Sequence, residues 1–279
     1  AAGRFAAQTK KNFAGTICVS GTVHEECFEG VAPREVTKRV KPDFVIVGEA
    51  TSTSIKIGQR GRAEVVVETE GVSCHSSNPE KGVNAVYGMM AVIEEIRKIV
   101  PNEHPLLGRG ILELTDIVSA PYPGASVVPA ACRATFDRRT LVGEDEAVIL
   151  GQVEEAIARA QEKHPEIKAR CYLATGTEAC WTGDTISAKR YFPAWVVDEN
   201  SELVVKARRG LEAAGIDAPL SHFSFCTSGS HFCGEAGIPT IGYGPSLESL
   251  AHVRDEYIEI SQLTKACRGF ASILAELTR

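Results

Sequence analysis

The chain lacks the features that mark nucleic-acid-binding and membrane proteins. It has no excess of positive charge, because 36 acidic residues outnumber 30 basic ones and the formal net charge is -6. Such a chain offers no basic surface to phosphate backbones or anionic lipids. It has no apolar run of the roughly 20 residues that cross a bilayer, and no signal peptide opens it. We therefore expect neither nucleic-acid nor membrane partners.

The nine cysteines include no C-x-x-C pair, the spacing typical of zinc knuckles and redox motifs. Their number is odd and they are scattered through apparent strands and helices. We therefore expect reduced, mostly buried thiols in a cytoplasmic protein. With 44% hydrophobic and 24% charged residues, the composition is that of a globular protein, and 279 residues allow two domains with sizeable cores.

Two kinds of strand pattern divide the chain. Residues 15–23 and 44–50 are continuous, β-branched apolar runs, typical of strands buried on both faces of a parallel sheet. Residues 63–71 alternate apolar and charged side chains, which indicates a sheet with one wet face. The first pattern returns from residue 201 onward. The last predicted helix of the chain has Ser261 as its predicted N-cap.

The middle of the chain shows the order β-α-β-β-α-β of ferredoxin-like domains. The first of its two helices falls within residues 82–100, and the second within residues 144–164. The stripe predicted to be buried on the first consists of Val83, Val86, Met90, Ile93 and Ile96. The corresponding stripe on the second consists of Ile149, Val153, Ile157 and Ala160.

Polar side chains follow the predicted parallel strands. Glu25 and Glu26 come side by side after the first, Glu49 follows the second, and His252 lies in the loop after the last. In open α/β sheets ligands collect beyond the carboxyl ends of the strands, so these residues can converge on one crevice. Carboxylates and imidazole suit zinc, cobalt or manganese. Two such ions acidify a shared water, whose proton a carboxylate that binds no metal can accept.

A simpler interpretation leaves both glutamates in water on a loop, where charge clusters are common. Arg138 and Arg139 alternate faces if their segment is a strand, so one of them is expected to face solvent and Arg139 to enter the site.

Five motifs, in order, resemble the dinuclear-zinc peptidase family of carboxypeptidase G, acetylornithine deacetylase and succinyl-diaminopimelate desuccinylase. They are GTVHEECFEG, VIVGEAT, RGRAEVVVETEGVSCHSSNPEKGVNAV, TFDRRT and GIPTIGYGPSLESLAHVRDEY. The resemblance runs through essentially the whole chain. VSAPYPGASVVP and FDRRTLVGED look most like the branch of selenium-metabolism hydrolases.

The resemblance implies a doubly wound, mostly parallel-sheet α/β catalytic domain, incomplete at its N-terminus, made of residues 1–58 and 183–279. An inserted ferredoxin-like α+β dimerisation domain is implied at 59–182. The chain would pair with a second copy through this inserted domain.

The same resemblance assigns the chemistry at the strand ends. Glu25 corresponds to the general base, and Glu26, Glu49 and His252 correspond to ligands of two divalent metal ions. Zinc is the expected metal, with cobalt or manganese as alternatives. The family also has an H-x-D motif and a later Asp upstream of the glutamate pair, and neither occurs before Gly21. We therefore expect Ala1 to be a cut point, with the missing ligands supplied by a preceding segment.

The remaining matches concern the substrate. His75 corresponds to an imidazole that reaches the partner subunit's active site and steadies the oxyanion. Arg139 corresponds to an arginine that clamps the substrate's α-carboxylate. The positions also expected to contact substrate are Ser228, Gly229 and Gly244.

These matches predict a metal-dependent hydrolase that cleaves the amide or peptide bond of an N-acyl amino acid or small peptide through a metal-bound hydroxide. Two alternatives stay open. One is a catalytically inactive, dimerising homologue or fragment that lacks the first metal-binding His and the bridging Asp. The other is a cysteine hydrolase that uses Cys27 or Cys74 with His75.

Overall fold

The computed structural model describes residues 1–9 and 12–279. Contacts between Cα atoms divide the chain into two compact units. The first unit comprises Ala1–Gly61, Pro105–Leu107 and Phe192–Arg279, and the second comprises Arg62–His104 and Gly108–Tyr191. The boundaries expected from the sequence, 59 and 182, differ at the second end because an antiparallel hairpin of residues 175–189 continues the second unit.

In the described residues the α-helices are α1 (Ala2–Gln8), α2 (Pro33–Val40), α3 (Ala85–Ile96), α4 (Glu146–Lys163), α5 (Glu202–Ala213) and α6 (Ile260–Leu277). The strands are β1 (Val45–Val47), β2 (Ile55–Gln59), β3 (Gly61–Glu70), β4 (Glu103–His104), β5 (Gly108–Arg109), β6 (Ile111–Ala120), β7 (Ala131–Thr140), β8 (Lys168–Leu173), β9 (Thr175–Ala179), β10 (Thr185–Lys189), β11 (Tyr191–Phe192), β12 (Trp195–Val196), β13 (Leu220–Phe223) and β14 (Thr240–Gly242).

The first unit is built on a five-stranded sheet in the order β1, β14, β2, β12, with β13 also paired to β2. β1 pairs parallel with β14, and β13 pairs parallel with β2. β14 and β12 are antiparallel to β2, so this sheet is mixed where the sequence predicted mostly parallel pairing. Helices α5 and α6 pack against each other, and a buried core that includes Leu203, Leu211, Ile241 and Ile273 joins them to the sheet.

The prediction of a strand at residues 15–23 was wrong. These residues form no strand, and Val19 and Val23 are 83% and 50% exposed. An apolar run becomes a strand only where a neighbour satisfies its backbone hydrogen bonds. No described strand pairs with this segment, so its composition alone does not make it a strand.

The second unit confirms the predicted β-α-β-β-α-β order as β3, α3, β6, β7, α4 and β8. Its five-stranded sheet has the order β11, β3, β7, β6, with β8 also paired to β3. β8 is antiparallel to β3, and β6 is antiparallel to β7. Helices α3 and α4 pack against each other and on the sheet. Together the two units give the α/β architecture with a ferredoxin-like second domain that the sequence predicted.

The predicted stripe of helix α3 is confirmed in part, since Ile96 is buried and Val86 and Ile93 are partly buried against the core. Met89, Val92 and Ile96 are buried, whereas Met90, placed in the core by the sequence analysis, is 54% exposed. The helix begins at Ala85 because the Asn84 side chain accepts a hydrogen bond from the Val86 N–H at 2.9 Å. The predicted α4 stripe is confirmed, since all four of its residues are buried.

Helix α6 begins earlier than predicted. Its N-cap is Glu259, so Ser261 already lies inside the helix, where its hydroxyl donates to Glu259 Oε2 at 3.1 Å. No helix in the described parts of the chain combines the length and the apolar composition needed to cross a bilayer.

Candidate active site

A tight turn in the first unit presents the glutamate pair. The His24 carbonyl accepts hydrogen bonds from the N–H groups of Cys27 and Phe28, at 3.2 and 2.9 Å. His24 has a φ of 54°, a left-handed conformation that is uncommon outside glycine. Phe28 is fully buried and anchors the turn. Glu25 and Glu26 therefore stand on a constrained turn, rather than at the end of a strand as predicted.

Glu25 lies in a strongly anionic environment. Burial, followed by the charges of Glu49, Glu29 and Glu26, raises its pKa to about 7, against the opposing effect of the Ser228 backbone N–H. Its Oε1 atom is buried and accepts no hydrogen bond from the described residues. A buried acceptor without a donor is costly, so this oxygen is suited to a proton or an external ligand.

Glu26, Glu49 and His252 come from three separate segments and lie near one another. His252 Nε2 is 3.3 Å from Glu26 Oε2, and both side chains are 72% exposed. Burial, and then the charge of Glu26, raise the pKa of Glu49, and the opposing effect of His252 does not cancel this increase. Within the described ranges, however, no three His, Cys, Asp or Glu side chains form a group arranged to hold a metal ion.

The loop that carries His252 is anchored by an ion pair that the sequence analysis missed. Lys56 Nζ lies 2.7 Å from Glu248 Oε1, and the Ser224 hydroxyl donates to Glu248 Oε2 at 2.7 Å. Burial acts to raise the pKa of Glu248, but these two partners outweigh it and the net shift is downward. Lys56 interrupts an apolar strand, and a lysine buried there requires a partner, which is the signal the sequence offered.

Gly244 lies against the backbone that carries Glu49. A Cβ atom at Gly244 would come within 2.2 Å of the Glu49 carbonyl oxygen. The Gly244 N–H donates to Thr51 Oγ1 at 3.0 Å, and that hydroxyl donates back to the Gly244 carbonyl at 3.0 Å. Glycine is therefore required for the two segments to approach this closely.

Ser228 and Gly229 lie on the buried loop Cys226–Ser230, next to Glu25. Ser228 is 8% exposed and directs its backbone N–H toward the Glu25 carboxylate. A Cβ atom at Gly229 would come within 2.5 Å of the Trp195 indole nitrogen. The first unit therefore brings Ser228 together with the predicted base, and only glycine fits at the next position.

His75 belongs to the second unit and is exposed. Its Nδ1 atom accepts a hydrogen bond from the Ser77 backbone N–H at 3.1 Å and lies 2.7 Å from Ser77 Oγ. Because a backbone N–H can only donate, Nδ1 is an acceptor and the neutral ring carries its proton on Nε2. The neighbouring Cys74 thiol donates to the Asn78 carbonyl at 3.3 Å. None of the described hydrogen bonds therefore joins the Cys74 thiol to the His75 ring.

The arginines of β7 lie on opposite faces, as predicted, but neither faces open solvent. Arg138 is 1% exposed and its Nη2 lies 2.9 Å from Glu144 Oε1. Arg139 lies on the other face with its Nε 2.9 Å from Asp137 Oδ1 and a side chain that is 27% exposed. Arg139 Nη2 also donates to Asp137 Oδ2 at 3.2 Å, so one edge of this guanidinium is paired with Asp137, whereas Arg138 is committed to the core.

The structure thus combines two units. One is a mixed α/β unit that bears carboxylates and an imidazole, and the other is a ferredoxin-like α+β unit. Residues 57–165 match the peptidase dimerisation domain of the M20 family. The uncharacterised protein YgeY of Escherichia coli K12 is 31% identical over 263 residues, which cover 92% of this chain and 64% of YgeY. Acetylornithine deacetylase of Buchnera aphidicola is 25% identical, over 90% of this chain and 62% of its own length.

Solved structures agree on the fold. The aminopeptidase PepT of Bacillus cereus superposes with a TM-score of 0.72 at 18% identity, covering 97% of this chain and 67% of PepT. The resemblance predicted from the motifs is confirmed: the chain is similar to M20 peptidases, and residues 57–165 match their dimerisation domain. It spans less than two thirds of the length of YgeY and of the deacetylase.

Proposed function

We propose that the chain is the hydrolytic part of a metal-dependent amidohydrolase. Its substrate would be an N-acyl amino acid or a small peptide, cleaved at an amide bond near a free carboxylate. The observation that carries the proposal is the crowding of Glu25, Glu26, Glu49 and His252, which come from three distant segments. Support also comes from relatives named as an acetylornithine deacetylase and a succinyl-diaminopimelate desuccinylase.

The donor atoms at this site fit divalent cations. Glu26 and Glu49 offer carboxylate oxygens and His252 an imidazole nitrogen, the set that zinc prefers and that cobalt and manganese accept. The pKa values of Glu25 and Glu49 are raised first by burial and then by the charges of neighbouring glutamates, and bound cations would offset those charges. We propose two divalent ions, zinc in the first place. They would polarise the scissile carbonyl and acidify a water.

Glu25 would act as general base and then as general acid. Its Oε1 atom is buried and accepts no hydrogen bond from the described residues, so it can take a proton from the attacking water. The same oxygen would then return that proton to the nitrogen of the leaving amine. The Ser228 N–H would hold the carboxylate in place during both transfers.

His75 would stabilise the oxyanion of the tetrahedral intermediate. The Ser77 N–H occupies Nδ1, which leaves the proton on Nε2 as a donor for developing negative charge. The resemblance further implies that this imidazole acts in the partner's site. Arg139 would donate to the substrate carboxylate from the part of its guanidinium that Asp137 does not occupy, and the backbone around Ser228, Gly229 and Gly244 would line the substrate's path.

A homodimer through the second unit is part of the proposal. β6 is an edge strand of its sheet, and its exposed apolar side chains include Ile111, Ile117 and Val118. Helix α3 of the same unit exposes Tyr87 and Met90. Unpaired edges and apolar side chains favour self-pairing, and a two-fold dimer would bury the same surface on both subunits.

A second candidate is a dimerising homologue without catalytic activity. It is favoured by one observation, the lack of any three-residue metal group in the described part of the chain. The experiment below separates it from the hydrolase, because an inactive homologue would cleave none of the substrates.

The test uses the natural gene product, its metal content and a panel of N-acyl amino acids and dipeptides. Glu25→Gln should lower kcat by about 10²–10⁴-fold, because the base is lost, while bound metal is retained. His252→Ala should release at least one ion per subunit. Glu199→Gln, at an exposed glutamate elsewhere in the first unit, is the matched control and should change neither quantity. Normal activity in both site variants would refute the assignment.

A further inference from the structure

Gln59 ends strand β2 and is fully buried. Its Oε1 atom accepts hydrogen bonds from the Thr227 N–H at 3.1 Å and from the Thr227 hydroxyl at 2.6 Å. Its Nε2 atom donates to Ser230 Oγ at 2.9 Å and to the Thr227 carbonyl at 3.4 Å. One amide side chain is thus bonded at both ends to the loop Cys226–Ser230.

We propose that Gln59 is a positioning residue that holds the loop Cys226–Ser230 so that the Ser228 N–H stays against the Glu25 carboxylate. This inference rests on the proposed function, since it assigns Gln59 a part in fixing the general base. Gln59 acts through the loop and touches no reacting atom. No pattern in the sequence pointed to this residue.

The orientation of the Gln59 amide follows from its partners. The Thr227 N–H can only donate, so the atom that faces it must be the amide oxygen. The Thr227 hydroxyl in turn accepts from the Gly229 N–H at 3.0 Å. A chain of bonds therefore runs from Gln59 through Thr227 to Gly229, immediately beyond Ser228.

Trp195 contacts the same loop. It is the cross-strand partner of Gln59 in the β12–β2 pairing, and its indole packs where a side chain at Gly229 would lie. With the indole packed at Gly229 and the amide bonded to Thr227 and Ser230, the loop has little freedom to shift. Buried and fully bonded polar groups of this kind specify a single conformation.

The decisive variant is Gln59→Met, which keeps the length of the side chain and removes all its hydrogen bonds. The matched control is Thr240→Val in the same unit, since it removes a buried hydrogen bond, from Thr240 Oγ1 to the Ile238 carbonyl at 2.8 Å, away from this loop. Both variants delete buried polar groups, so they can be compared at similar losses of Tm.

Two readouts are measured in the natural gene product: kcat and KM with an N-acyl amino acid, and hydrogen exchange at the Ser228 amide by NMR. Gln59→Met should lower kcat by roughly 10–100-fold, the loss typical of residues that orient a catalytic group, with KM within about twofold. Ser228 exchange should become at least about tenfold faster, because its N–H is no longer held. Thr240→Val should change neither readout.

If Gln59→Met does not fold, the pair Thr227→Val and Thr227→Ser replaces it, because only serine keeps the hydroxyl that donates a hydrogen bond to Gln59 Oε1. Valine should reproduce both losses and serine should keep wild-type values. Ser228 exchange or kcat equal to that of the control variants would overturn the inference. If the wild-type protein cleaves nothing, the proposed function fails, and Ser228 exchange alone then decides whether Gln59 holds the loop.

Discussion

Glu25 shows what a residue's neighbours add to its identity. The pattern of adjacent glutamates after an apolar run was visible in the sequence, and it predicted a shared site with Glu49 and His252. The sequence did not reveal that Glu25 Oε1 would be buried without a hydrogen-bond donor among the described residues, or that Ser228 would face it. Those properties depend on contacts between residues about 200 positions apart, which no local pattern encodes.

Arg138 and Arg139 are adjacent but should fail in different ways when mutated. Arg138→Met leaves the Glu144 carboxylate buried beside Leu141 and without its cation, which should cost about 3–5 kcal/mol of unfolding free energy. Arg139→Met should cost under about 1 kcal/mol, since its ion pair with Asp137 is partly solvated. On the proposed function, Arg139→Met should raise KM by roughly 10–100-fold, as for loss of a charged hydrogen bond.

Urea unfolding and steady-state kinetics on the same two variants check this separation. The pair also serves as its own control, because both substitutions remove one guanidinium from the same strand. A stable Arg138→Met protein, or an Arg139→Met protein with unchanged KM, would contradict the respective assignment.

At the scale of elements, the sequence predicted best where local pattern and packing agree. Helix α4 buries all four predicted residues, and the β-α-β-β-α-β order is confirmed. Residues 15–23 have the composition of a strand but no described partner, so the prediction failed there. The π-helical turn Ser230–Glu235 was also missed, because its extra residue per turn is supported by tertiary bonds such as that between His231 and Thr37.

Glu95 on α3 joins that helix to α4. Hydrogen bonds from Lys163 and then Lys98 lower its pKa to about 2, and Arg159 Nε lies 3.4 Å from its carboxylate. Because the folded-state pKa is below the unfolded value, the stabilisation is fully present above about pH 4.5 and is lost as the pH falls toward 2. Glu95→Gln should therefore lower the free energy of unfolding at pH 7. The difference in this free energy between the variant and the wild type should become smaller as the pH drops.

Urea unfolding of the second-unit transition at a series of pH values from 7 to 3 tests this prediction. Glu94→Gln is the matched control, since Glu94 is the exposed neighbour on the same helix. A Glu95→Gln curve that stays parallel to the wild-type curve down to pH 3 would show that the carboxylate is not held by these cations.

At the scale of the whole molecule, the resemblance to the family and the two-part architecture were predictable. Five motifs spread along the chain occur in the same order as in that family. The mixed pairing of the first sheet was not, since strand direction depends on how distant segments meet. On the proposed function, a second copy of the chain would cover the exposed edge strand β6 and the exposed apolar residues of α3.

Light scattering and sedimentation should find a dimer for the natural protein and a monomer for Val118→Asp, which places a charge on the edge strand. If His75 acts across the interface, mixing inactive His75→Ala and Glu25→Gln subunits should restore part of the activity, because some mixed dimers then hold one intact site. A monomeric wild type would refute the dimer, and absence of recovery on mixing would restrict His75 to its own subunit.

The central claim is that Glu26, Glu49 and His252 bind divalent cations beside Glu25. Anomalous diffraction at the zinc edge, on crystals of the natural protein grown with zinc, tests it most directly. We predict peaks about 2.0–2.2 Å from the carboxylate oxygens of Glu26 and Glu49 and from an imidazole nitrogen of His252. Peaks held by other residues, or no peak near these three side chains, would contradict the account.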